Sequence, residues 1–136
     1  MGINKKTRLA IDALIVTKEK KAVLVRRRFF PFIGSYAIPG GFIEFGEAVE
    51  KTCVREAFEE TGLKVEIVRL LGVYSKMGRD PRGHTVSMVY LCKPVGGSII
   101  ESSNETYDVK AFSRSELRKL KFAFDHMKIL KDAGLL

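Results

Sequence analysis

Residues 40–63 read GGFIEFGEAVEKTCVREAFEETGL, and no other stretch constrains this chain as strongly. The segment carries a charge of −4 while the whole chain carries +8, which leaves +12 for the rest. Glycines crowd its first half, and its second half has the composition and spacing of a helix. The pattern predicts a helix over residues 47–61, with Gly62 as the residue that ends it. On that helix Glu56, Glu59 and Glu60 are three and four positions apart and share a face. Val54 and Phe58 lie roughly 160–200° away from Glu56 and are expected to face the core. Like charges at this spacing destabilise a helix by a few tenths of a kcal/mol per pair. Either the glutamates form a solvated face, or a cation sits among them. Hard divalent cations take such oxygen donors, and Mg²⁺ binds through a few carboxylates together with substrate phosphates. Arg55 can pair with Glu59 or reach back to orient Glu47, and the pair Gly40-Gly41 lets backbone approach a metal or phosphate closely.

The remaining chain reads as strands interleaved with short helices. Residues 8–17 and 22–29 are apolar, and the polar KEKK turn between them suggests a hairpin. A punctuated loop over 30–46 contains a short strand at 36–38. Further strands are expected over 65–76, kinked at Gly72, then in HTVSMVYLCKPV, where Val86, Met88, Tyr90 and Cys92 alternate, and over 107–112. Ser113 and Glu116 form a capping box, and Asp125 can cap a last helix ending near Gly134. The order implies one α/β domain over residues 1–136, with a mixed sheet covered on both faces.

Several classes fall away on composition. No apolar run approaches the ~20 residues of a membrane span. The N-terminus reads as a first strand rather than a signal peptide, and Met-Gly-Ile-Asn-Lys-Lys lacks the hydroxyl residue of a myristoylation signal. Cys53 and Cys92 have no CxxC spacing and the two histidines are far apart, so neither a zinc nor a redox motif is present. The thiols read as buried and inert in a reducing cytoplasm.

Gly41, then five residues, Glu47, then seven residues, then Arg55-Glu56-Ala57-Phe58-Glu59-Glu60-Thr61-Gly62-Leu63 resembles the Nudix box. One position departs, Ala57, where the motif has a bulkier aliphatic. The resemblance implies an α/β/α sandwich that hydrolyses a nucleoside diphosphate linked to another group, with Mg²⁺ or Mn²⁺. It implies Glu56, Glu59, Glu60 and the carbonyl of Gly40 as metal ligands, Arg55 and Glu47 as an orienting pair, and Gly41 against the substrate. Glu56 is the first candidate for the general base. Glu105 is either a late catalytic glutamate or an exposed loop acid.

Outside the box, GVYSKMGRDPRGHTVSMVYL and FAFDHMKIL resemble small archaeal and bacterial ADP-ribose pyrophosphatases. That likeness implies ADP-ribose as substrate, AMP and ribose 5-phosphate as products, and a homodimer sharing the pocket. Pro81 lies eighteen residues past Leu63, further than the proline that marks that subgroup. Arg79, Asp80 and Arg82 are either substrate contacts, the arginines reaching phosphate or ribose, or Arg79 and Asp80 lock a tight turn that Pro81 stiffens. Arg26, Arg27 and Arg28 alternate at a strand end, so only one or two can face the cleft, and Arg28 is taken as a substrate contact. His84 reads as a strand-edge residue, and Phe124 or His126 can flank adenine, Phe124 otherwise packing in the core. Two alternatives stand beside this reading. A nucleoside triphosphate sanitising enzyme would share the box. A basic nucleic-acid-binding domain would use the +12 outside it, but the chain carries no aromatic RNA-binding motif.

Overall fold

The computed structural model of the protein describes residues 5–136, so the reading of the first four residues lies outside it. The elements run β1 (Arg8–Ile15), β2 (Ala22–Arg27), β3 (Tyr36–Ala37), β4 (Gly40–Phe42), α1 (Val49–Thr61), β5 (Leu63–Tyr74), β6 (Thr85–Gly97), β7 (Thr106–Phe112), α2 (Arg114–Leu117) and α3 (His126–Asp132). Four strands form a mixed sheet in the order β4-β1-β6-β5, with β1 and β6 parallel and the other pairs antiparallel. The other three form an antiparallel sheet in the order β3-β2-β7.

The expected hairpin of β1 and β2 does not form. The KEKK turn reverses the chain, with the Thr17 amide bonded to the Lys21 carbonyl and one bridge from Val16 to Ala22. Beyond that bridge the strands part into different sheets. Both are buried along most of their length. A strand apolar on both faces is best satisfied inside a sheet covered on both sides, and each of these is flanked by a strand on either edge.

The layers follow from strand alternation. Ile11, Ala13 and Ile15 pack with Val23, Val25 and the Cys53 and Ala57 of α1. Leu14 points the other way, into a core with Leu24, Val89, Leu117, Ile129 and Leu130. Helix α1 therefore covers one side and α2 with α3 the other, which is the expected α/β/α architecture. Strand β6 is likewise covered on both faces, Met88, Tyr90 and Cys92 toward α1 and Val89 and Leu91 toward α3. The Sγ atoms of Cys53 and Cys92 meet in this core 3.6 Å apart. Their mutual hydrogen bond and burial push the Cys53 thiol up, so it stays protonated and inert.

Three local expectations need correction. Val54 and Phe58 do not face the core; they are 39% and 49% exposed, while Cys53, Glu56, Ala57 and Glu60 are buried. These buried positions are spaced i, i+3, i+4 and i+7, so the core stripe and the acidic stripe overlap instead of opposing each other. The helix starts at Val49, later than expected, and ends as expected at Gly62 with φ 80°. Asp125 stands at the N-terminus of α3, but its side chain caps nothing there and goes to Arg79 instead. The Ser113–Glu116 capping box is present on both sides.

Candidate active site

A cleft of about 390 Å³ opens between the two sheets, lined by residues of β1, β2, β3, β4, β6, α1 and the approach to α3. One wall is acidic. Strand β4 runs past the buried side of α1, and a Cβ at Gly41 would come within 2.5 Å of the Glu56 carboxylate. Only glycine leaves that carboxylate its place. The Gly40 amide donates to Glu60 Oε1 at 3.1 Å. Burial pushes the Glu60 carboxyl well above its ordinary range, and the charge of Glu56 adds to the shift. Burial also raises Glu56, against the opposing pull of Arg55. Carboxylates held this way favour a cation.

Arg55 organises the outer end of this wall. Its Nε and Nη2 donate to the two oxygens of Glu47 at 2.8 and 3.0 Å, and its Nη1 donates to Glu56 at 2.9 Å. Nη1 also reaches Glu59, at 3.2 Å. Thr52 Oγ1 donates to Glu47 at 2.6 Å. The Arg55 and Thr52 hydrogen bonds hold the Glu47 carboxyl down at about 2, so Glu47 stays ionised and Arg55 stays fixed. Glu59 is exposed along the helix, and Glu105 stands exposed at the rim, close enough for its charge to bear on Glu56 and Glu60. Among the described residues no three acids, histidines or cysteines close into a ready-made cage. The donor chemistry nonetheless fits a hard divalent cation: carboxylates of Glu56, Glu59 and Glu60, with the Gly40 carbonyl beside a backbone that glycine keeps clear. Bound there, such a cation would neutralise phosphate charge and polarise a phosphoryl oxygen.

The opposite wall is basic and aromatic. Alternation in β2 sends Val25 and Arg27 into the cleft. Arg28 goes elsewhere: its Nη2 donates to the carbonyls of Ser103 and Thr106, and its guanidinium lies 5.2 Å from the Tyr107 ring. Arg28 is thus not among the residues lining the cleft, and Arg27 takes the place expected of it. Arg27 anchors its Nε on the Pro31 carbonyl at 2.6 Å and stacks over Phe124 at 4.9 Å. Burial, then the nearby charge of Arg82, pulls its guanidinium down, as expected of two cations sharing one space.

Arg79 and Arg82 both line the cleft, but each is already engaged. Arg79 donates through Nε and Nη2 to both oxygens of Asp125, and through Nη1 to Ser87 Oγ and the Thr85 carbonyl. Arg82 pairs with Asp80 at 2.9 Å while facing the rings of Phe42 and Phe124. Asp80 also accepts from the Arg82 amide and Thr85 Oγ1, so the turn is locked, but by Arg82 and not by Arg79, which goes to Asp125 instead. His84 bonds Thr7 and the Ser75 carbonyl at the start of β6. His126 is buried at the cleft floor, where its Nδ1 accepts from the Ile38 amide at 3.0 Å. Burial pulls it down to about 3, so it is a neutral acceptor and not a base at neutral pH. Phe124 both packs against the core and lines the cleft.

Sequence reasoning passed over Asp12 and the exposed Phe29 and Phe30 at the lip, and it preferred Arg28 to Arg27. A signal existed for Asp12, the one charge inside an otherwise apolar strand. It is 6% exposed, and burial pushes it up to about 7.

Buried carboxylates at a glycine strand, facing arginines across a cleft in an α/β/α layer, suit the hydrolysis of a phosphate ester or anhydride with a bound cation. The chain belongs to the NUDIX domain family, which it matches over residues 6–133, and it is a Nudix hydrolase. It is 45% identical over 124 residues to an ADP-ribose pyrophosphatase of Methanocaldococcus jannaschii, covering 91% of this chain and 71% of that one. The NUDIX domain of Shewanella oneidensis NrtR, solved with ADP ribose, superposes with a TM-score of 0.84 at 28% identity, covering 96% of this chain and 88% of that one. A bifunctional NMN adenylyltransferase/ADP ribose pyrophosphatase from Francisella tularensis, solved with AMP and a Mn ion, gives 0.80 at 25% identity. The match covers 96% of this chain and 42% of that longer protein.

Proposed function

We propose that this chain hydrolyses the pyrophosphate bond of ADP-ribose to AMP and ribose 5-phosphate, with Mg²⁺ or Mn²⁺ as cofactor. The observation that carries the proposal is the carboxylate wall of Glu56 and Glu60, which faces Arg27 and Arg82 across one cleft. A pyrophosphate with a cation on one side and guanidinium groups on the other suits that arrangement. The archaeal relative and the ADP-ribose-bound Shewanella domain support the choice of ADP-ribose, and the manganese in the Francisella structure supports a divalent cation.

In this reading Glu56, Glu59, Glu60 and the Gly40 carbonyl hold the cation. Arg55 and Glu47 orient Glu56, and Gly41 keeps the approach open. Arg27 and Arg82 take phosphate, Glu56 is the first candidate for the proton-accepting group, and Glu105 approaches from the rim. Arg79 secures the wall through Asp125. The whole chain works as one domain in the cytoplasm, where Cys53 and Cys92 stay reduced. It works as a homodimer, and the exposed Val68, Leu70 and Val73 on edge strand β5 are consistent with a partner. Among the described residues no helix is long and apolar enough to cross a membrane.

The test is a panel of ADP-ribose, NADH, diadenosine polyphosphates, dGTP and 8-oxo-dGTP with Mg²⁺ or Mn²⁺. ADP-ribose is expected to be turned over well above the triphosphates. Equal or faster cleavage of dGTP or 8-oxo-dGTP would replace this reading with nucleotide-pool sanitising.

A further inference from the structure

We infer that Asp12 is a specificity residue of this cleft, its carboxylate accepting a hydrogen bond from an N–H or O–H of the substrate's nucleoside half. The inference rests on the cleft being a nucleotide site. Its ligand chemistry is a neutral donor, either the exocyclic amine of the base or a ribose hydroxyl.

Asp12 differs from the other buried acids of the region. Glu56 is paired with Arg55, Glu60 accepts from the Gly40 amide, Asp80 is held by Arg82 and Thr85. The half-buried Asp125 is held by Arg79. Asp12 is 6% exposed, lines the cleft, and has no hydrogen bond or ion pair among the described residues. No buried side-chain oxygen among the described residues lacks a partner, so the Asp12 oxygens keep contact with the open cleft, where a donor from a ligand can reach them. Arg79, the cation whose charge bears most on Asp12, supplies no donor: its Nε, Nη1 and Nη2 are already bonded to Asp125, Ser87 and the Thr85 carbonyl.

The register of β1 and β4 puts the Asp12 side chain on the other face of the sheet from Glu56, while its charge still bears on Glu56 and Glu60. Asp12 is paired with Gly40 and Ile11 with Gly41. Neighbouring strand residues face opposite sides. The open space at Gly41 is filled by Glu56, on the α1 side, while the space at Gly40 is filled by Asp12 Oδ1. Leu14, two residues on, belongs to the core on the α3 side, and Asp12 shares the cleft with His126, Arg79 and Phe124. A carboxyl in that position accepts from a donor, and the Phe124 ring in the same cleft offers a face for a planar base. Asp12 therefore meets the part of the substrate that carries donors and no charge.

The experiment compares three proteins, the full chain and its Asp12→Ala and Asp12→Asn variants. The substrate is whichever nucleoside diphosphate derivative the wild type cleaves best in the panel above. Two analogues accompany it, one with hypoxanthine in place of adenine (or its counterpart lacking the amine) and one with a 2′-deoxyribose. The wild type is expected to lose about tenfold or more in kcat/KM on one analogue and little on the other. Asp12→Ala is expected to lose the same factor on the parent substrate and no more on that analogue, with Asp12→Asn between them because it retains an acceptor oxygen. Mn²⁺ affinity without nucleotide, read by electron paramagnetic resonance, is expected to match the wild type. Equal loss on parent and both analogues, no loss on any, or weakened Mn²⁺ binding overturns the inference. If the Ala variant does not fold, the Asn variant decides by whether its discrimination is reduced. A panel in which ADP-ribose is not the best substrate overturns the proposed substrate and leaves this comparison to be run on the one that is.

Discussion

The two walls of the cleft are built on opposite plans. On the acidic wall Glu56 and Glu60 are buried with fewer donors than their charge calls for, and burial raises both. On the basic wall the charges are largely matched inside the protein, Arg79 by Asp125 and Arg82 by Asp80. The first wall leaves buried charge without full internal compensation. The second holds itself together through its own ion pairs. Function and stability therefore reside in different places, and substitutions should separate them.

The largest effect is expected on the basic wall. Arg79 is 5% exposed and bonds Asp125 through both of its oxygens. Removing Arg79 strips the half-buried Asp125 of its partner, so Arg79→Ala should lose about 2–3 kcal/mol in chemical denaturation, below the cost of a fully buried pair. A loss below about 1 kcal/mol, the range of surface pairs, would mean that this wall is not self-supporting.

The acidic wall should answer in the opposite sense. Glu60→Gln keeps an acceptor for the Gly40 amide and removes a buried charge. Turnover should fall by about a hundredfold or more, while the melting temperature in chelator rises. Lower activity together with lower stability would erase the contrast between the walls.

Gly41→Ala probes how tightly the acidic wall is set. Its Cβ would displace the Glu56 carboxylate, and a shift of that kind costs roughly tenfold to a hundredfold in rate. The far-ultraviolet spectrum should stay unchanged; an unaltered rate would show that the carboxylate can move without penalty.

A smaller effect concerns pH. His126 is lowered to about 3 in the folded protein from an ordinary 6.5. Between those values the unfolded chain binds the extra proton, so stability is complete above about 6.5 and declines as pH falls toward 3. Melting scans over that range should show the decline, and His126→Gln, which retains an acceptor for the Ile38 amide, should flatten it by a few degrees. An unchanged profile would show that the histidine is not held neutral.

What could be read in advance divides along sequence distance. Arg55, Glu56, Glu59 and Glu60 lie within one and a half turns of a helix, so periodicity alone set their common face. Glu47, eight residues back, still falls within reach of Arg55. The rotation of that helix was less legible. Val54 and Phe58 look like core residues by chemistry, yet Cys53 and Ala57 occupy that place because the small side chains let α1 settle against the sheet with its carboxylates turned toward β4. Arg27 and Arg28 differ by a single step of strand alternation, and nothing in RRRFF says which parity faces inward.

The sequence by itself determined the chemical set: a glycine-led helix bearing oxygen donors for a cation, within a chain basic enough to attract an anionic substrate. Local periodicity and residue chemistry suffice for that. Tertiary structure alone decided that β1 and β2 part into two sheets, that Arg79 spends itself on Asp125 across 46 residues, and that Asp12 stands unpartnered on the far side of Gly40. Those outcomes depend on which strands pair and in what register, and pairing is settled by burial over the whole chain rather than by any neighbouring residue.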